Sequence, residues 1–368
     1  MPFHPNIPFN DLPLLPPETT VLTPSVLEKA AEAGQALKEF DRMRGDLESC
    51  SFLMDSLVLL EAKDSSEIEN IYTSHEDLFM ASALGPDGFH PATSEVLRYH
   101  DAFWEAWNAV CKRSFIATSL CVEIVRRIKE DQSGIRRLPG ARIVDFAAGK
   151  VVYAPPEGES LIRKKLKNLE DFIHSGDGMD PLVKLSLAHY QFEAIHPFPD
   201  GNGRTGRILN ILLLQLYGLL GHPGLNLSRY IVQREREYYR LLNEVSEKGA
   251  WEPWILFMME AIRETATRSL EIISAIRKLV AETAEKAERD LPPGVSPNTL
   301  AAWIFRQPYV RTRSLVDAGV AEKGVAEDCF GKLEEIGVVK KVDTDGGTLF
   351  YNEALFDALV KSRDLAAL

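Results

Sequence analysis

Twelve consecutive residues near the middle of the chain combine the side chains that a phosphate-transfer site requires. The segment 196–207 reads HPFPDGNGRTGR. An ordinary imidazole has a pKa of about 6.5, so His196 suits a general base at neutral pH. Asp200 offers one carboxylate, and Mg²⁺ often takes one or two carboxylates and completes its shell with phosphate and water. Arg204 and Arg207 are three residues apart, so they project to the same side of a helix, where guanidinium groups match phosphate oxygens.

The residues that follow this segment place it at the start of a helix. Apolar residues recur with helical spacing at Ile208, Ile211, Leu212, Leu216 and Leu219. This stripe is typical of a packed helix. Backbone N–H groups at a helix N-terminus have no partner within the helix, and together with the helix dipole they favour a bound phosphate. Gly201 and Gly203 allow the turn and the close approach of an anion to the backbone.

The segment resembles the signature of Fic-domain proteins, His-x-Phe-x-(Asp/Glu)-Gly-Asn-Gly-Arg-x-x-Arg, with every fixed position matched. Most enzymes of that family transfer AMP from ATP to a hydroxyl side chain of a target protein. The resemblance implies a protein adenylyltransferase that uses ATP and Mg²⁺ and modifies a Ser, Thr or Tyr of a target or of itself. In that reaction His196 would be the base and Asp200 the Mg²⁺ ligand.

The resemblance also implies which residues bind the nucleotide. The loop residues with this expected role are Gly201, Asn202, Gly203, Arg204, Thr205, Gly206 and Arg207. Phe198 would anchor the loop in the core. Relatives build the adenine and ribose pocket where this chain has 228–231 and Tyr238–Tyr239, and Tyr239 is the best candidate for contact with the base.

A second motif resembles the inhibitory motif of the same family, (Ser/Thr)-x-x-x-Glu-(Gly/Asn). The segment 65–70 reads SSEIEN, with Ser65, Glu69 and Asn70 at the fixed positions. Ser65 and Glu69 would share one face if this segment is helical. By resemblance, Glu69 would pair with Arg207 at rest and restrain the enzyme, since one guanidinium cannot serve two anions well in one geometry.

A hairpin is predicted between this motif and the catalytic segment. Val151–Tyr153 is β-prone, with Gly149–Lys150 as a turn and Pro155–Pro156 as a stop. It resembles the Fic flap, which holds the target segment by strand addition, so we expect target proteins to bind along Val151–Tyr153. An ordinary surface hairpin is the alternative interpretation.

Composition indicates a globular chain, and its scattered cysteines indicate a reducing environment. The chain has 368 residues, a net charge of −12 and a pI near 5.3, which argues against broad nucleic-acid binding. The sequence shows no signal peptide and no run that would span a membrane, so a cytoplasmic location is expected. The four cysteines, Cys50, Cys111, Cys121 and Cys329, have no C-x-x-C spacing and predict no zinc site.

The predicted fold is mainly α: a Fic helical fold with a β-hairpin flap and a small C-terminal winged helix-turn-helix. The expected domains are 1–95 (helical regulatory region with the inhibitory motif), 96–290 (Fic catalytic core) and 291–368 (winged helix). Leu291–Gly294 marks the linker, and Asp345–Gly347 marks the hairpin turn of the wing. From Leu291 onward nine Lys and Arg face eleven Asp and Glu, so protein interaction or dimer packing competes with DNA binding.

Three alternative functions remain open at this stage. The same site could remove AMP from a modified protein, with Glu69 orienting a water. It could also transfer another group from a different nucleotide donor. From a different class, the chain could be a DNA-binding transcriptional regulator that uses its winged helix and senses ATP. A homodimer that hides the site is a further expectation from the family.

Overall fold

Fifteen helices and five strands lie in the part of the computed structural model that is described, residues 3–43, 53–132, 134–145, 149–288 and 291–361. The helices before the catalytic segment are α1 (Pro24–Arg42), α2 (Leu53–Glu67), α3 (His75–Leu84), α4 (Pro91–Arg113), α5 (Thr118–Lys129), α6 (Glu159–Ile173) and α7 (Pro181–Ile195). Those after it are α8 (Asn202–Leu216), α9 (Ser228–Gln233), α10 (Glu235–Lys248), α11 (Trp251–Ala287), α12 (Pro297–Ile304), α13 (Thr312–Asp317), α14 (Lys323–Glu335) and α15 (Glu353–Val360). The strands are β1 (Ile143–Asp145), β2 (Lys150–Tyr153), β3 (Tyr309–Val310), β4 (Lys340–Thr344) and β5 (Gly347–Tyr351). The prediction of a mainly helical fold is confirmed.

Helix α7 forms the centre of the catalytic region and ends where the catalytic segment begins. Asp180 caps its N-terminus, with Oδ1 accepting from the backbone N–H of Leu182 at 2.8 Å and of Val183 at 3.3 Å. The helix is buried on almost every face, as expected for a helix that is apolar all round. It packs against α8, α6 and α11, so its C-terminal end is held in a fixed position.

The long helix α11 joins the parts of the molecule. It packs along α1, α7, α10 and the C-terminal helices α12 and α15. Trp254, Phe257 and Met258, which have helical spacing in the sequence, are buried in its core-facing stripe. The indole Nε1 of Trp254 donates to the carbonyl of Ser186 on α7 at 2.8 Å, which satisfies its buried polar atom.

The predicted hairpin lies where the flap was expected. Strands β1 and β2 pair antiparallel, with Val144 opposite Val151 and Asp145 opposite Lys150. Lys150, predicted in the turn, is the first residue of β2. Tyr153 is buried, and its hydroxyl donates to the carbonyl of Ala194 on α7 at 2.9 Å. The hairpin is thus anchored to the end of the helix that leads into the catalytic segment.

The C-terminal part, where a winged helix is predicted, combines short helices with a small antiparallel sheet. Helices α12, α13 and α14 precede a three-stranded sheet with the strand order β3-β5-β4. Asp345 and Gly346 connect β4 to β5, and Gly347 has a φ of 118°, a conformation that glycine adopts readily. This agrees with the turn predicted from Asp345–Gly347.

The predicted domain boundaries fit the elements unevenly. The division after residue 95 falls inside α4, which begins at Pro91. The division after residue 290 lies beside residues 289–290, outside the described residues, as does Cys50. Cys111, Cys121 and Cys329 form no disulfide among the described residues. No helix in the described ranges is both long and apolar enough to cross a membrane.

Candidate active site

The catalytic segment forms a tight loop between α7 and α8. His196 caps the C-terminus of α7 in the left-handed conformation, with φ of 48° and ψ of 61°. Gly201, with φ of 80°, begins α8 as its N-cap. The side chain of Asn202 closes the loop, because it accepts from Phe198 N at 2.8 Å and donates to Phe198 O at 2.8 Å. Phe198 is only 1% exposed, as expected of an anchor.

The other small residues of the loop have steric roles. Thr205 donates its hydroxyl to Gly201 O at 2.8 Å. A Cβ on Gly203 would clash with the Glu69 carboxylate, and one on Gly206 would clash with the Glu193 carboxylate. Of the two glycines expected to shape the turn, Gly201 has a positive φ and Gly203 is helical. Gly203 instead lets an anionic group approach the first turn of α8.

Arg204 lies in a network of charged side chains on one side of this turn. Its guanidinium is 1% exposed, and Nη1 is 2.6 Å from Glu95 Oε1. Lys129 Nζ lies 2.9 Å from the same Glu95 oxygen and 2.7 Å from Asp200 Oδ2. Burial opposes ionisation of Asp200, but the ammonium of Lys129 and the guanidinium of Arg204 outweigh it and hold the pKa of this carboxyl below its usual range.

Arg207 is held on the other side by the predicted inhibitory motif. Its Nε donates to Ser65 Oγ at 2.8 Å, and its Nη2 donates to Ser65 O at 2.8 Å. The same Nη2 is 2.8 Å from Glu69 Oε1. The predicted pairing of Glu69 with Arg207 is therefore present in the structure.

Ser65 lies within α2, whereas Glu69 lies beyond the end of that helix. Helix α2 ends at Glu67, and Glu69 lies in the turn that follows, with its N–H donating to Ser66 O at 3.0 Å. Asn70 has a φ of 60°, a left-handed conformation that asparagine tolerates better than most residues. The turn brings the Glu69 side chain to the guanidinium that the last helical turn already binds through Ser65.

The imidazole of His196 is kept neutral by its surroundings. Burial is the main cause that lowers its pKa to about 4, and the nearby Arg136 guanidinium acts in the same direction. The Glu69 carboxylate opposes this effect. A neutral imidazole at neutral pH can accept a proton, which a general base requires.

The tyrosine pair on α10 divides between the core and the site. Tyr238 is buried, and its hydroxyl is 2.9 Å from His189 Nε2. Tyr239 is 38% exposed, with its ring centroid 5.1 Å from that of Tyr238. Burial, and then the Glu69 carboxylate, raise the pKa of the Tyr239 hydroxyl. Of the expected pocket segment 228–231, Ser228, Tyr230 and Ile231 are buried and Arg229 is half-buried.

Several charged residues of the site carry no sequence signal that could have identified them. Glu95 and Lys129 are single charged residues on the amphipathic helices α4 and α5, where solvated charges are common. Glu61 is fully buried on α2, where it accepts from Ser228 N at 2.9 Å and from Tyr99 Oη at 3.2 Å. Burial raises the Glu61 pKa to about 7. Only their packing on α8 and α9 makes these residues parts of the site.

Three family models match successive parts of the chain. The Fic/DOC family N-terminal model matches residues 27–108, the Fic/DOC family model matches residues 116–214, and a model of the C-terminal domain of SoFic-like protein adenylyltransferases matches residues 279–355. Together the three models match more than half of the chain, and the middle one contains the loop described above, so the chain belongs to the Fic/DOC family. The resemblance given by the two sequence motifs is confirmed at this level.

Relatives and solved structures agree with this assignment. The protein adenylyltransferase Fic of Aedes aegypti is 26% identical over 70% of this chain and 52% of its own length. That of Nematostella vectensis is 34% identical over 31% of this chain and 25% of its own length. The chain thus spans about half or less of these curated relatives. A Fic family protein from Desulfovibrio desulfuricans G20 shares the fold, with a TM-score of 0.57 and 20% identity over 91% of this chain and 98% of that one.

A second solved structure leads to the same conclusion about the fold. A portion of Fic-1 from C. elegans superposes with a TM-score of 0.55 and 20% identity. The alignment covers 68% of this chain and 73% of that one. The helical fold with its small hairpin is therefore that of Fic proteins.

Proposed function

We propose that this protein is an adenylyltransferase that transfers AMP from ATP to a Ser, Thr or Tyr hydroxyl of a target protein or of itself, and that Glu69 restrains the transfer. The observation that carries the proposal is the arrangement at the start of α8. A neutral imidazole, a carboxylate and two buried guanidinium groups lie within one loop at a helix N-terminus. The names of the curated relatives, protein adenylyltransferase Fic, support the same reaction.

In the proposed reaction the target hydroxyl attacks the α-phosphorus of ATP in line with the leaving pyrophosphate. His196 accepts the hydroxyl proton as the new oxygen–phosphorus bond forms. The bond from the α-phosphorus to the oxygen that bridges to the β-phosphate breaks, and pyrophosphate departs with that oxygen. The N-terminal amides of α8 and the guanidinium of Arg204 stabilise the developing negative charge.

Asp200 is the residue that would hold Mg²⁺. In the described residues no three His, Cys, Asp or Glu side chains converge as a cage, which suits an ion that binds one carboxylate and the substrate phosphates. The Asp200 carboxylate is 62% exposed and already faces the Lys129 ammonium, so the position accommodates a cation. A bound Mg²⁺ would neutralise charge on the phosphate oxygens.

The position of Glu69 supports the proposed inhibition. In the family's reaction Arg207 binds the γ-phosphate, and in this structure its Nη2 is 2.8 Å from Glu69 and its Nε 2.8 Å from Ser65 Oγ. Glu69 also fills the space beside Gly203, where a phosphate would approach the backbone. We therefore propose that ATP binds in an unproductive pose until the Glu69 carboxylate leaves.

We propose that the target segment binds along the backbone edge of Val151–Tyr153. The hairpin has two strands in the described residues, and an extended peptide can add to such an edge. Val151 and Val152 are half-buried, whereas the Tyr153 side chain points into the core. Tyr153 would thus contribute its backbone and the anchoring of the strand.

For the proposed winged-helix region, 291–368, contacts with the rest of the chain favour a regulatory role over DNA binding. Gln307 Nε2 is 2.6 Å from Asp55 Oδ2, and the Ser56 hydroxyl donates to Arg306 O at 2.6 Å. Both acceptor and donor belong to α2, which ends just before Glu69. We also propose the partition into a regulatory region 1–95, a catalytic core 96–290 and this C-terminal region.

The test is transfer of label from ATP with Mg²⁺ by the Glu69→Gly variant and by Glu69→Gly/His196→Ala. Label from the α-phosphate retained on protein in the first variant and lost in the second supports His196-dependent AMP transfer. Label from the γ-phosphate, or no label although ATP binds, contradicts it. Loss of AMP from a premodified protein in wild type would instead identify the reverse reaction, and competition among nucleotides would identify another donor.

A further inference from the structure

Arg136 is buried directly against the end of α7, in the segment between α5 and the hairpin. It is 5% exposed, and its contacts reach three successive carbonyls of the loop. The backbone N–H of Arg136 donates to Pro197 O at 2.9 Å, Nε donates to His196 O at 2.8 Å, and Nη2 donates to Ile195 O at 3.3 Å. One residue thus holds the backbone before, at and after His196.

The same guanidinium also binds the segment that follows the hairpin. Nη2 of Arg136 donates to Pro156 O, three residues after the end of β2. Tyr153, the last residue of β2, makes a parallel link through its hydroxyl to Ala194 O at 2.9 Å. Two buried side chains therefore connect the hairpin to the final turn of α7.

Carbonyl groups take the place of a carboxylate around this cation. The carboxylate that acts on the charge of Arg136 is that of Glu157. Its Oε1, however, accepts from Gly140 N at 2.8 Å and is 3.3 Å from Arg142 Nη1. The last carbonyls of a helix have no partner within it and carry partial negative charge, so they suit a guanidinium. Burying a guanidinium costs free energy. A role in fixing the geometry of the loop would account for that cost.

The backbone of His196 needs such support. Its φ of 48° and ψ of 61° are left-handed, a conformation that costs free energy for any residue except glycine and persists only when the surroundings enforce it. The N–H of His196 donates to Phe192 O at 3.0 Å, and Arg136 binds the carbonyl of the following peptide unit, His196 O, so the backbone is held on both sides of the His196 Cα. The imidazole direction depends on this backbone conformation.

We propose that Arg136 is a positioning residue that holds His196 in its left-handed conformation and ties it to the hairpin, so that a hydroxyl presented along the hairpin meets the imidazole. This inference rests on the proposed function, because the hydroxyl and its base are assigned there. Arg136 touches neither substrate nor reacting atoms and acts through His196.

The test compares Arg136→Met and Arg136→Lys with Arg137→Met, all in the Glu69→Gly background. Arg137 is the matched control, because its side chain is 77% exposed and pairs with Glu159 at 2.9 Å. Arg136→Met is expected to lower kcat by roughly 100-fold, the order of loss for a catalytic group displaced by about 1 Å. The KM for ATP stays unchanged, since the nucleotide-binding turn of α8 is left in place. Arg136→Lys keeps the positive charge but has fewer hydrogen-bond donors, so its kcat is expected to lie between those of the parent and Arg136→Met. The kcat of Arg137→Met is expected to equal that of the parent.

Circular dichroism checks that each variant is folded at the assay temperature. If Arg136→Met does not fold, the kcat of Arg136→Lys is the test. A kcat of the folded Arg136 variants equal to that of the parent overturns the proposal. A loss of ATP affinity equal to the loss of kcat also overturns it, because that pattern indicates general damage to the site.

A second measurement separates this proposal from the proposed function. The ¹⁵N signals of the His196 imidazole, assigned by their loss in His196→Ala, are recorded without ATP in the parent and in the Arg136 variants. Shifted or broadened signals in the Arg136 variants and unchanged signals in Arg137→Met are expected, even if the parent transfers no label. Signals identical to the parent's in Arg136→Lys and Arg136→Met overturn the proposal.

Discussion

Arg204 and Arg207 lie three residues apart on α8, and each is paired with one carboxylate in the resting structure. Both are almost fully buried, with 1% and 2% of their surface exposed. Arg204 Nη1 is 2.6 Å from Glu95 Oε1, and Arg207 Nη2 is 2.8 Å from Glu69 Oε1. The two cations that we propose bind phosphate thus have similar partners in this structure.

The two carboxylates differ in the backbone that carries them. Glu95 belongs to α4, within its first turns, and its carboxylate also binds Lys129 at 2.9 Å. Glu69 lies beyond the end of α2 in a short turn, next to the left-handed Asn70. A carboxylate fixed by a helix and two cations is part of the framework of the site. One carried by a turn can move away at lower cost, because turns open more readily than helices.

The arginines would also be left in different states. If Glu69 leaves, Arg207 keeps its hydrogen bonds to Oγ and O of Ser65, both 2.8 Å long. If Glu95 is lost, Arg204 keeps only Asp200, whose Oδ1 is 3.8 Å from Nη2, as a charged neighbour. The structure therefore favours Glu69 as the releasable partner and Glu95 as the permanent one.

The strongest test of this contrast is Glu95→Gln in the Glu69→Gly background. We expect AMP transfer to fall by roughly 100-fold, because Arg204 and the Asp200–Lys129 pair lose the charge that places them. Glu105→Gln is the control, since Glu105 is on the same helix and pairs with Arg127 at 3.1 Å on the exposed surface. Transfer by Glu95→Gln at the rate of the Glu105→Gln control would show that Glu95 does not hold the site.

The same contrast predicts unequal losses of stability. Glu95→Gln should lower the free energy of unfolding by roughly 1.5–3 kcal/mol, the range for a hydrogen bond to a charged group. Glu69→Gln should lower it by less, because Arg207 retains Ser65. Urea unfolding of the two single variants measures both values, and a larger loss for Glu69→Gln would reverse the comparison.

A smaller effect is expected at Lys129, whose ammonium binds the Asp200 carboxylate where Mg²⁺ would bind. The pair is partly exposed, so it is worth up to about 1 kcal/mol, and Lys129→Met should lower the Mg²⁺ concentration for half-maximal ATP binding by up to about fivefold. Calorimetric titration measures this, with Lys278→Met, a variant of an 80% exposed lysine on α11, as control. A requirement for more Mg²⁺ than in the control would mean that Lys129 assists the ion instead of competing with it.

The smallest expected difference is in the titration of His196. Its pKa is lowered to about 4, chiefly by burial, and the Glu69 carboxylate partly opposes this. Removing that negative charge disfavours the protonated imidazole, so Glu69→Gln should titrate at a lower pH than wild type. NMR titration without nucleotide measures the midpoints of both proteins. A midpoint that rises in Glu69→Gln would contradict the placement of Glu69 beside His196.

The sequence predicted the parts of the site that lie close together along the chain. The loop 196–207, the helix after it and the hairpin turn of the wing each depend on local patterns of glycine, charge and apolar spacing. The pairing of Glu69 with Arg207 came from family resemblance, and the sequence left open whether the segment from Ser65 to Glu69 is helical throughout. The structure ends α2 at Glu67, and helix boundaries are the part of a helix that sequence patterns define least well.

The residues that surround the loop could not be predicted in the same way. Glu95, Lys129 and Arg136 come from three segments that packing brings to the start of α8 and the end of α7. On its own helix or loop each looks like a solvated charge. Their roles depend on distances between elements far apart in the chain, which no periodicity records.

The most direct test of the central claim is the initial rate of AMP transfer from α-labelled ATP by wild type and by Glu69→Gly. The account predicts a faster rate in the variant, by roughly 5–150-fold, the usual range for coupling between two sites. The Glu69→Gly/His196→Ala protein sets the background. Equal rates for wild type and Glu69→Gly, both above that background, would contradict the claim that Glu69 restrains the enzyme through Arg207.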